Sequence, residues 1–195
     1  MAPGYVLLAV IPDLNQLKSG LSYEPRVPLS MLEEIQADLQ KRASPFVRIK
    51  VVNPRYEAVD FCLRIKLKKG KDESFYKRKI QDDIRQFMAP WVVGQYDKLN
   101  FGQRVNRSDV IHFLEGLDYL DYIIEFKWRH EDDDTQISAG EQLEIIPISP
   151  RSILVAGSID ICIIPLDCPE WARKDRCMNQ PNLIIDYCSE SKALY

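Results

Sequence analysis

The sequence contains few of the residues from which catalytic sites are usually built. It has two histidines, and neither has a serine, cysteine or aspartate at a recognisable catalytic spacing. Its eight glycines are scattered, so no glycine-rich phosphate-binding loop is present. The H-E-x-x-H motif is absent, and nothing nominates the pair of carboxylates that a glycosidase needs. These absences make an enzyme a weak expectation, and we predict no catalytic residues and no cofactor.

The five cysteines include no C-x-x-C pair, and their number is odd. We interpret them as free thiols, as in proteins of a reducing compartment. Cys62 and Cys162 lie in strand-like segments and are expected to pack as small apolar residues. The other three have spacings of nine and eleven, which match no familiar zinc module: Cys168, Cys177 and Cys188. We therefore predict no stoichiometric zinc, while a disulfide or a zinc site among these three stays an alternative.

Long apolar runs and strong charge imbalance are also lacking. No stretch reaches the roughly 18 apolar residues of a membrane span. The apolar run at residues 5–11 is too short for a signal peptide and has no basic flank. With a formal net charge of -3 and a basic turn at residues 66–71, binding to nucleic acid is not expected. The acids at residues 131–134 lack the alternation and glycine of a calcium loop, and we interpret them as a solvated loop.

The 195 residues are 46% hydrophobic and 28% charged, which is ordinary for a globular chain of one domain with appendages. We interpret residues 1–45 as a first strand, a loop and a capped helix. Residues 46–164 are predicted to form an α+β domain, and residues 165–195 an irregular tail. Because a strand begins so near residue 1, we expect the chain to be part of a longer polypeptide.

The clearest pattern lies between residues 44 and 91. Apolar and polar side chains alternate over residues 59–67, which predicts a strand with one buried face. Asp72 or Ser74 can cap a following helix, and Pro90 ends its apolar stripe. The strand and the helix can cover each other and so form a minimal core. Eight residues are predicted to be buried together: Phe61, Leu63, Ile65, Ile80, Ile84, Phe87, Ile124 and Phe126.

Two more helices and four more strands are predicted. Ser30 with Glu33 three residues later resembles a capping box, and Ser108 and Gly116 are a plausible start and stop for a later helix. The buried face of the first of these helices is expected to carry Leu32, Ile35 and Leu39. Strands are predicted at residues 5–11, 120–128, 143–148 and 152–164, the first of them buried. The expected fold is α+β, with a mixed or antiparallel sheet, about three helices and an irregular C-terminal tail.

Two irregular segments carry large apolar side chains that their local structure is not expected to bury. One is the loop after Pro90, and the other is the C-terminal tail. Exposed apolar patches often mark interaction sites. The predicted interaction residues are Trp91, Tyr96, Phe101, Trp171, Leu183, Ile184 and Ile185.

Several stretches follow one another in a recognisable order. They are Gly4-Tyr5-Val6 through Ile11-Pro12-Asp13-Leu14, Val27-Pro28-Leu29 with Leu32-Glu33-Glu34-Ile35, Ser44-Pro45-Phe46-Val47 with Val51-Val52-Asn53-Pro54-Arg55-Tyr56-Glu57-Ala58-Val59, Phe101-Gly102 with Arg107-Ser108-Asp109-Val110-Ile111 and Asp121-Tyr122-Ile123, and Pro150-Arg151-Ser152-Ile153-Leu154-Val155. Together they resemble the baseplate J-like family of contractile phage tails and related bacterial contractile injection systems. The resemblance spans about residues 4 to 160 and rests on order and spacing. The tail after Pro165 departs from the family pattern.

The resemblance implies a structural protein. Baseplate J-like proteins are wedge subunits that assemble around a hub, touch sheath and tail-fibre parts and pass on the contraction signal. This chain would correspond to the C-terminal region of such a subunit, with other wedge, hub and sheath proteins as partners in an oligomeric assembly. It would be cytoplasmic during assembly and then part of a phage tail or tail-like particle. Two alternatives stay open: a soluble hydrolase with an unrecognised acidic site, and a zinc-stabilised adaptor.

Overall fold

A computed structural model describes residues 4–13, 22–95, 98–99, 101–131 and 142–164. Its elements, in chain order, are β1 (Tyr5–Ala9), α1 (Leu29–Arg42), β2 (Arg48–Val52), β3 (Arg55–Leu67), α2 (Glu73–Met88), a 3-10 helix (Pro90–Val93), β4 (Val105–Asn106), α3 (Arg107–Glu115), β5 (Leu120–His130), β6 (Glu144–Ile145) and β7 (Ser152–Ile163). None of the helices in these ranges is long and apolar enough to cross a membrane.

The strands form one mixed sheet and two strand pairs within the described ranges. The larger sheet has the order β5-β3-β7, and the pairs are β1-β2 and β4-β6. β5 is antiparallel to β3. β7 is parallel to β3, because Arg55 N–H donates to the carbonyl of Arg151 and Ile164 N–H donates to the carbonyl of Ile65. The α+β class, the mixed sheet and the three α-helices confirm the predicted fold class.

The chain divides into two compact units. The first unit comprises Met1–Glu57, Met88–Arg104 and Ile146–Val155. The second unit comprises Ala58–Phe87, Val105–Ile145 and Ala156–Tyr195. Each unit has its own buried apolar residues.

In the second unit, β3 is the central strand. Its alternating residues Phe61, Leu63 and Ile65 are at most 1% exposed, as the period-two pattern predicts. Phe61 lies opposite Trp128 of β5 in the antiparallel register. Six of the eight predicted core residues are buried, whereas Phe87 and Ile124 are half-buried.

Irregular pairing in β5 explains why one face of this strand was predicted incorrectly. The two-residue spacing of Tyr122, Ile124, Phe126 and Trp128 predicts that all four side chains point the same way. The register instead shifts between Arg64 and Ile65 and again between Lys66 and Leu67. Such a shift moves the side chains beyond it to the other face of the sheet. The shift between Arg64 and Ile65 lies between Phe126 and Tyr122 of β5 and so separates them. Tyr122 is therefore exposed while Phe126 and Trp128 are buried.

Helix α2 begins and ends where the sequence predicts. The Asp72 carboxylate accepts a hydrogen bond from the backbone N–H of Phe75 at 2.7 Å, which is the geometry of an N-cap. The helix ends at Met88, and Pro90 opens the 3-10 turn that follows. Ile80 and Ile84 on its apolar stripe are buried, while Phe87 stacks on Phe113 with 4.5 Å between ring centroids.

The starts of α1 and α3 differ from the prediction. α1 begins at Leu29 after Pro28, without a side-chain cap, so Ser30 lies inside the helix and the predicted capping box is wrong. The Pro28 carbonyl accepts hydrogen bonds from the N–H groups of Met31 and Leu32, which starts the helix early. α3 begins after Asn106 rather than at Ser108. In both helices the first helical residue precedes the predicted one. A serine near a helix start is therefore not sufficient evidence for an N-cap.

The first unit contains two buried clusters. One comprises Tyr56, Ala89, Trp91, Ile153 and Val155. The other comprises Val27, Leu32 and Val51, with Val10, Ile35, Leu39 and Ile49 packed against it as partly buried side chains. The second cluster packs α1 against β2 and so positions the helix over the β1-β2 pair.

Two cysteines fall within the described ranges, and each matches the expectation only in part. Cys62 is buried but disulfide-bonded, and its partner cysteine lies outside the described residues. Cys162 is a free thiol, but it is exposed on β7 instead of packed.

The predicted strand at residues 143–148 is shorter than expected, since β6 comprises Glu144–Ile145 alone.

Candidate interaction surface

The first unit contains a two-stranded parallel sheet, formed by β1 and β2. Tyr5 lies opposite Arg48, Leu7 opposite Lys50 and Ala9 opposite Val52. The chain runs from β1 through α1 to β2, which is a β-α-β connection. Parallel sheets are normally covered on both faces by other elements. Two strands with one helix therefore leave part of the sheet without cover.

The outer edge of β2 is closed by side chains of α1. The Gln40 side-chain oxygen accepts from Ile49 N–H at 3.0 Å, and its amide nitrogen donates to the Val47 carbonyl at 2.7 Å. The Gln36 oxygen accepts from Val51 N–H at 3.1 Å. Two glutamine side chains thus satisfy three of the backbone groups that a third strand would otherwise pair, and they occupy this edge.

The outer edge of β1 has no such cover in the described part of the chain. Arg48 N–H donates to the Gly4 carbonyl and Val10 N–H donates to the Val52 carbonyl, so even-numbered residues of β1 bond to β2. The backbone groups of the odd-numbered residues point to the other side. They are Tyr5, Leu7 and Ala9. No described strand pairs with them.

The side chains of β1 are exposed despite being apolar. Tyr5 is 59% exposed, Val6 47%, Leu7 56% and Leu8 39%. The expectation of a buried strand at residues 5–11 is therefore wrong. The reason is that α1 packs mainly on β2, so the helix covers little of β1.

On the helix side, β1 and α1 form a step that is apolar except for one ion pair. Successive helix residues are about 100° apart, so Met31 and Ile35 lie on the flank of α1 opposite Gln40, together with Asp38 and Arg42, which pair with each other at 3.1 Å. Gln40 points to the outer edge of β2, and Met31 and Ile35 therefore face the β1 side. Val6 and Leu8 project from β1 on the same side of the sheet as Val51, which is buried under α1. Met31 is 50% exposed, so the step is open to solvent.

The opposite face of the pair is apolar along β1 and basic along β2. Arg48 donates from Nη1 to the Tyr5 hydroxyl at 3.2 Å, and its guanidinium lies 5.8 Å from the centre of the Tyr5 ring. Lys50 is exposed beside Leu7. Among the described residues, neither Arg48 nor Lys50 forms an ion pair with a carboxylate. This face therefore presents two unneutralised cations beside an uncharged strand.

A glycine allows β1 to begin where it does. Gly4 has φ +83°, and a Cβ there would lie 2.7 Å from the carbonyl oxygen of Phe46. Any other residue would clash with that backbone atom and would adopt a strained conformation. Phe46, next to β2, is itself 88% exposed and extends the apolar surface at this end of the sheet.

The sequence similarity searches give no family for this chain. No family model matches it, and no curated protein matches it. Among solved structures, the chain is similar to a chain in the cryo-EM structure of the anti-feeding prophage (AFP) baseplate, 6-fold symmetrised. The TM-score is 0.54 at 13% sequence identity, over 78% of this chain and 32% of that chain. The two share a fold, and this chain spans about a third of the length of that neighbour.

The predicted interaction residues lie elsewhere, and most are not described. Trp91 is 3% exposed in the first buried cluster, so our expectation that the loop could not bury it is wrong. The 3-10 turn that begins at Pro90 places Trp91 there. Phe101 is 39% exposed, as expected. Outside the described residues lie Tyr96, Trp171, Leu183, Ile184 and Ile185. Whether any of the seven contacts a partner stays a prediction.

Sequence reasoning missed β1 as an exposed surface. Residues 5–11 form an uninterrupted apolar run, which is typical of a strand covered on both faces. The available signal was the lack of alternation, because it distinguishes this run from the half-buried strands.

Three titratable groups with shifted pKa values lie outside this surface. Burial raises the pKa of Tyr56, whose hydroxyl donates to the Pro25 carbonyl at 2.7 Å. Burial and a 2.6 Å hydrogen bond to Asp83 raise the pKa of Tyr119. Both tyrosines stay protonated and act as structural donors. The described residues contain no group of three or more His, Cys, Asp or Glu that could hold a metal ion.

Burial alone would raise the pKa of Asp60, but hydrogen bonds from Ser158 and Arg129 outweigh it and lower the pKa overall. The Asp60 carboxylate accepts from the Ser158 N–H at 2.9 Å and from the Ser158 hydroxyl at 2.7 Å. Arg129 donates to its second oxygen at 3.1 Å. A Cβ at Gly157 would lie 2.7 Å from the first of these oxygens. The site ties β3 to β5 and β7 within the second unit, so its role is structural.

Proposed function

We propose that this chain is a structural component of the baseplate of a contractile injection system or phage tail. One observation carries the proposal: the chain shares its fold, over 78% of its length, with part of a chain in the AFP baseplate. Fold alone does not determine function. The order of the sequence stretches that resemble the baseplate J-like family gives independent support.

The finer assignment is a wedge subunit, with this chain as its C-terminal region. The neighbour is about three times longer than the matched part, which is consistent with a piece of a larger subunit. Other wedge, hub and sheath proteins would then be the partners, and the subunit would relay the contraction signal. It would assemble in the cytoplasm and remain in the finished particle.

The activity in this assignment is burial of surface against partners, without a catalytic step or cofactor. The open edge and exposed side chains of β1 support this, because uncovered apolar strands are typical of surfaces that are covered in an assembly. The β1 surface is therefore the first candidate contact with a neighbouring subunit.

The proposal can be tested by deleting the gene in a host that produces contractile particles. We expect sheath and tube proteins to be made, but intact baseplates to be absent from electron micrographs. Complementation with a tagged full-length protein should restore baseplates and place the tag in purified particles, in a copy number that is a multiple of six. Normal, contractile particles from the deletion strain would contradict the proposal.

A further inference from the structure

We propose that the open edge of β1 receives an extended acidic segment of another protein, which adds to the β1-β2 sheet as a third strand. The incoming strand would place apolar side chains against the helix-side step and acidic side chains on the opposite face. This inference stands on the geometry of the first unit and does not depend on the baseplate assignment.

Apart from being short, β1 lacks the common forms of edge protection in the described part of the chain. Natural edge strands are usually guarded by lysine, by proline or by a bulge. The sequence of β1, Tyr-Val-Leu-Leu-Ala, contains no charged residue and no proline, and its pairing with β2 is regular. The other edge of the same sheet is closed by Gln36 and Gln40. The protein therefore blocks one edge and leaves the other competent to pair.

The backbone chemistry of the β1 edge specifies an extended peptide. Tyr5, Leu7 and Ala9 each direct one N–H donor and one carbonyl acceptor away from β2. The two-residue repeat of these groups matches the hydrogen-bonding groups of another strand and of no other regular element. Strand addition of this kind derives its affinity from main-chain hydrogen bonds and its specificity from alternate side chains.

The side chains that the new strand would need follow from the two faces of the sheet. On the helix side it would lie beside Val6 and Leu8 and below the flank of α1 that carries Met31 and Ile35, so apolar side chains would fill the step next to the Asp38–Arg42 ion pair. On the other face it would lie two strand spacings, about 10 Å, from Arg48 and Lys50. Long acidic side chains such as glutamate can reach these cations across β1, and glutamates there would supply the missing counter-charges.

A second copy of this chain fits the charges less well. Self-pairing of β1 about a two-fold axis would give the order β2-β1-β1-β2. The Arg48 and Lys50 side chains of both copies would then lie on the same face, with no acidic residue between them. An acidic strand neutralises this face, whereas a second copy doubles its positive charge. We therefore assign the edge to a different protein.

The test uses the full chain and fluorescent synthetic peptides of about nine residues, the length of a long strand. In the acidic peptide every second residue is valine, and the residues between them are threonine or glutamate. In the matched basic peptide, lysine replaces each glutamate. We expect the acidic peptide to bind at least about tenfold more tightly than the basic peptide in fluorescence anisotropy. Hydrogen exchange followed by NMR should show new protection of the Tyr5, Leu7 and Ala9 amides when it binds.

Variants separate the backbone from the charges. Leu7→Pro removes one outward N–H and leaves the bonds to β2 intact, so it should weaken binding of the acidic peptide at least about tenfold. Leu7→Thr keeps the N–H and serves as the control for loss of the leucine side chain. Lys50→Glu should abolish the preference between the two peptides, because the new carboxylate cancels the charge of Arg48, while Lys41→Glu, on the exposed face of α1, should not change it.

The outcomes decide the inference in either direction. Equal binding of the two peptides, absence of binding by the acidic peptide, or unchanged exchange at the three amides would overturn it. A dimer of the chain that Leu7→Pro dissolves would assign the edge to a second copy instead. If Leu7→Pro does not fold, the Lys50→Glu preference and the exchange experiment still decide the result.

Discussion

Strands β1 and β3 are both rich in apolar residues, yet one is exposed and the other buried. β3 has a strand on either side, and its residues Val59, Phe61 and Leu63 are at most 1% exposed. β1 has a strand on one side, and four of its five residues are exposed. β3 alternates apolar and polar residues, whereas β1 is continuously apolar.

The difference shows that composition makes a strand, while neighbours decide whether it is buried. By its sequence β1 is the more apolar of the two, so hydrophobicity alone would bury it first. Its exposure arises because α1 packs on β2 and extends Gln36 and Gln40 to the far edge. The two edges of that sheet differ for the same reason.

The largest effect is expected in the core around β3. Phe61→Ala should lower the free energy of unfolding by about 3–5 kcal/mol, because Phe61 is buried against Phe126 and Trp128. Phe87→Ala should cost less, about 1–3 kcal/mol, because Phe87 is half-buried. Phe75, which is 56% exposed, is the matched control. Urea unfolding of the three variants should give this order, and equal losses would contradict the assigned core.

The glutamine-blocked edge of β2 should contribute a smaller but measurable amount. Gln36→Ala removes the acceptor for the N–H of Val51, a buried residue, and should cost about 1–2 kcal/mol. Gln36→Glu keeps an acceptor oxygen and should cost less. Thermal or urea melts check both. If the alanine variant were as stable as the parent, the glutamine would not be closing this edge.

Acid should weaken the polar contacts of β3 through Asp60. Because the pKa of Asp60 is lower in the folded protein than in the unfolded chain, its contribution to stability is present above its ordinary pKa. That contribution is lost as the pH falls through the lower, folded value. Asp60→Asn should therefore reduce the loss of stability on acidification, as measured by urea unfolding from neutral pH to about pH 3. An unchanged pH profile would show that Asp60 is not a source of acid sensitivity.

The smallest effect on the isolated protein is expected in β1. Leu7→Thr should change the free energy of unfolding by less than about 0.5 kcal/mol, since Leu7 is already 56% exposed and threonine favours strands. Leu63→Thr, at a buried position of β3, should cost several times more. The same melts measure both variants. A large loss for Leu7→Thr would mean that β1 is covered within the chain and would remove the contrast.

Local pattern determined much of the second unit. The alternation in β3 and the apolar stripe of α2 are properties of adjacent residues, so they are readable without a structure. Asp72 and Pro90 bound the helix because each acts on backbone groups within one turn of itself. The contractile-baseplate resemblance likewise came from the order of short stretches, and the shared fold with an AFP baseplate chain is consistent with it.

Tertiary structure alone decided the features that depend on distant residues. The register shifts that expose Tyr122 arise from pairing between β5 and β3. Trp91 is buried because Tyr56, Ile153 and Val155, from other parts of the sequence, surround it. Gln36 and Gln40 close an edge of β2 because helix packing brings them there, although a glutamine in a helix predicts no such role. The open edge of β1 has the same origin, since a strand's sequence carries its hydrogen-bonding groups but not the identity of the strand that will satisfy them.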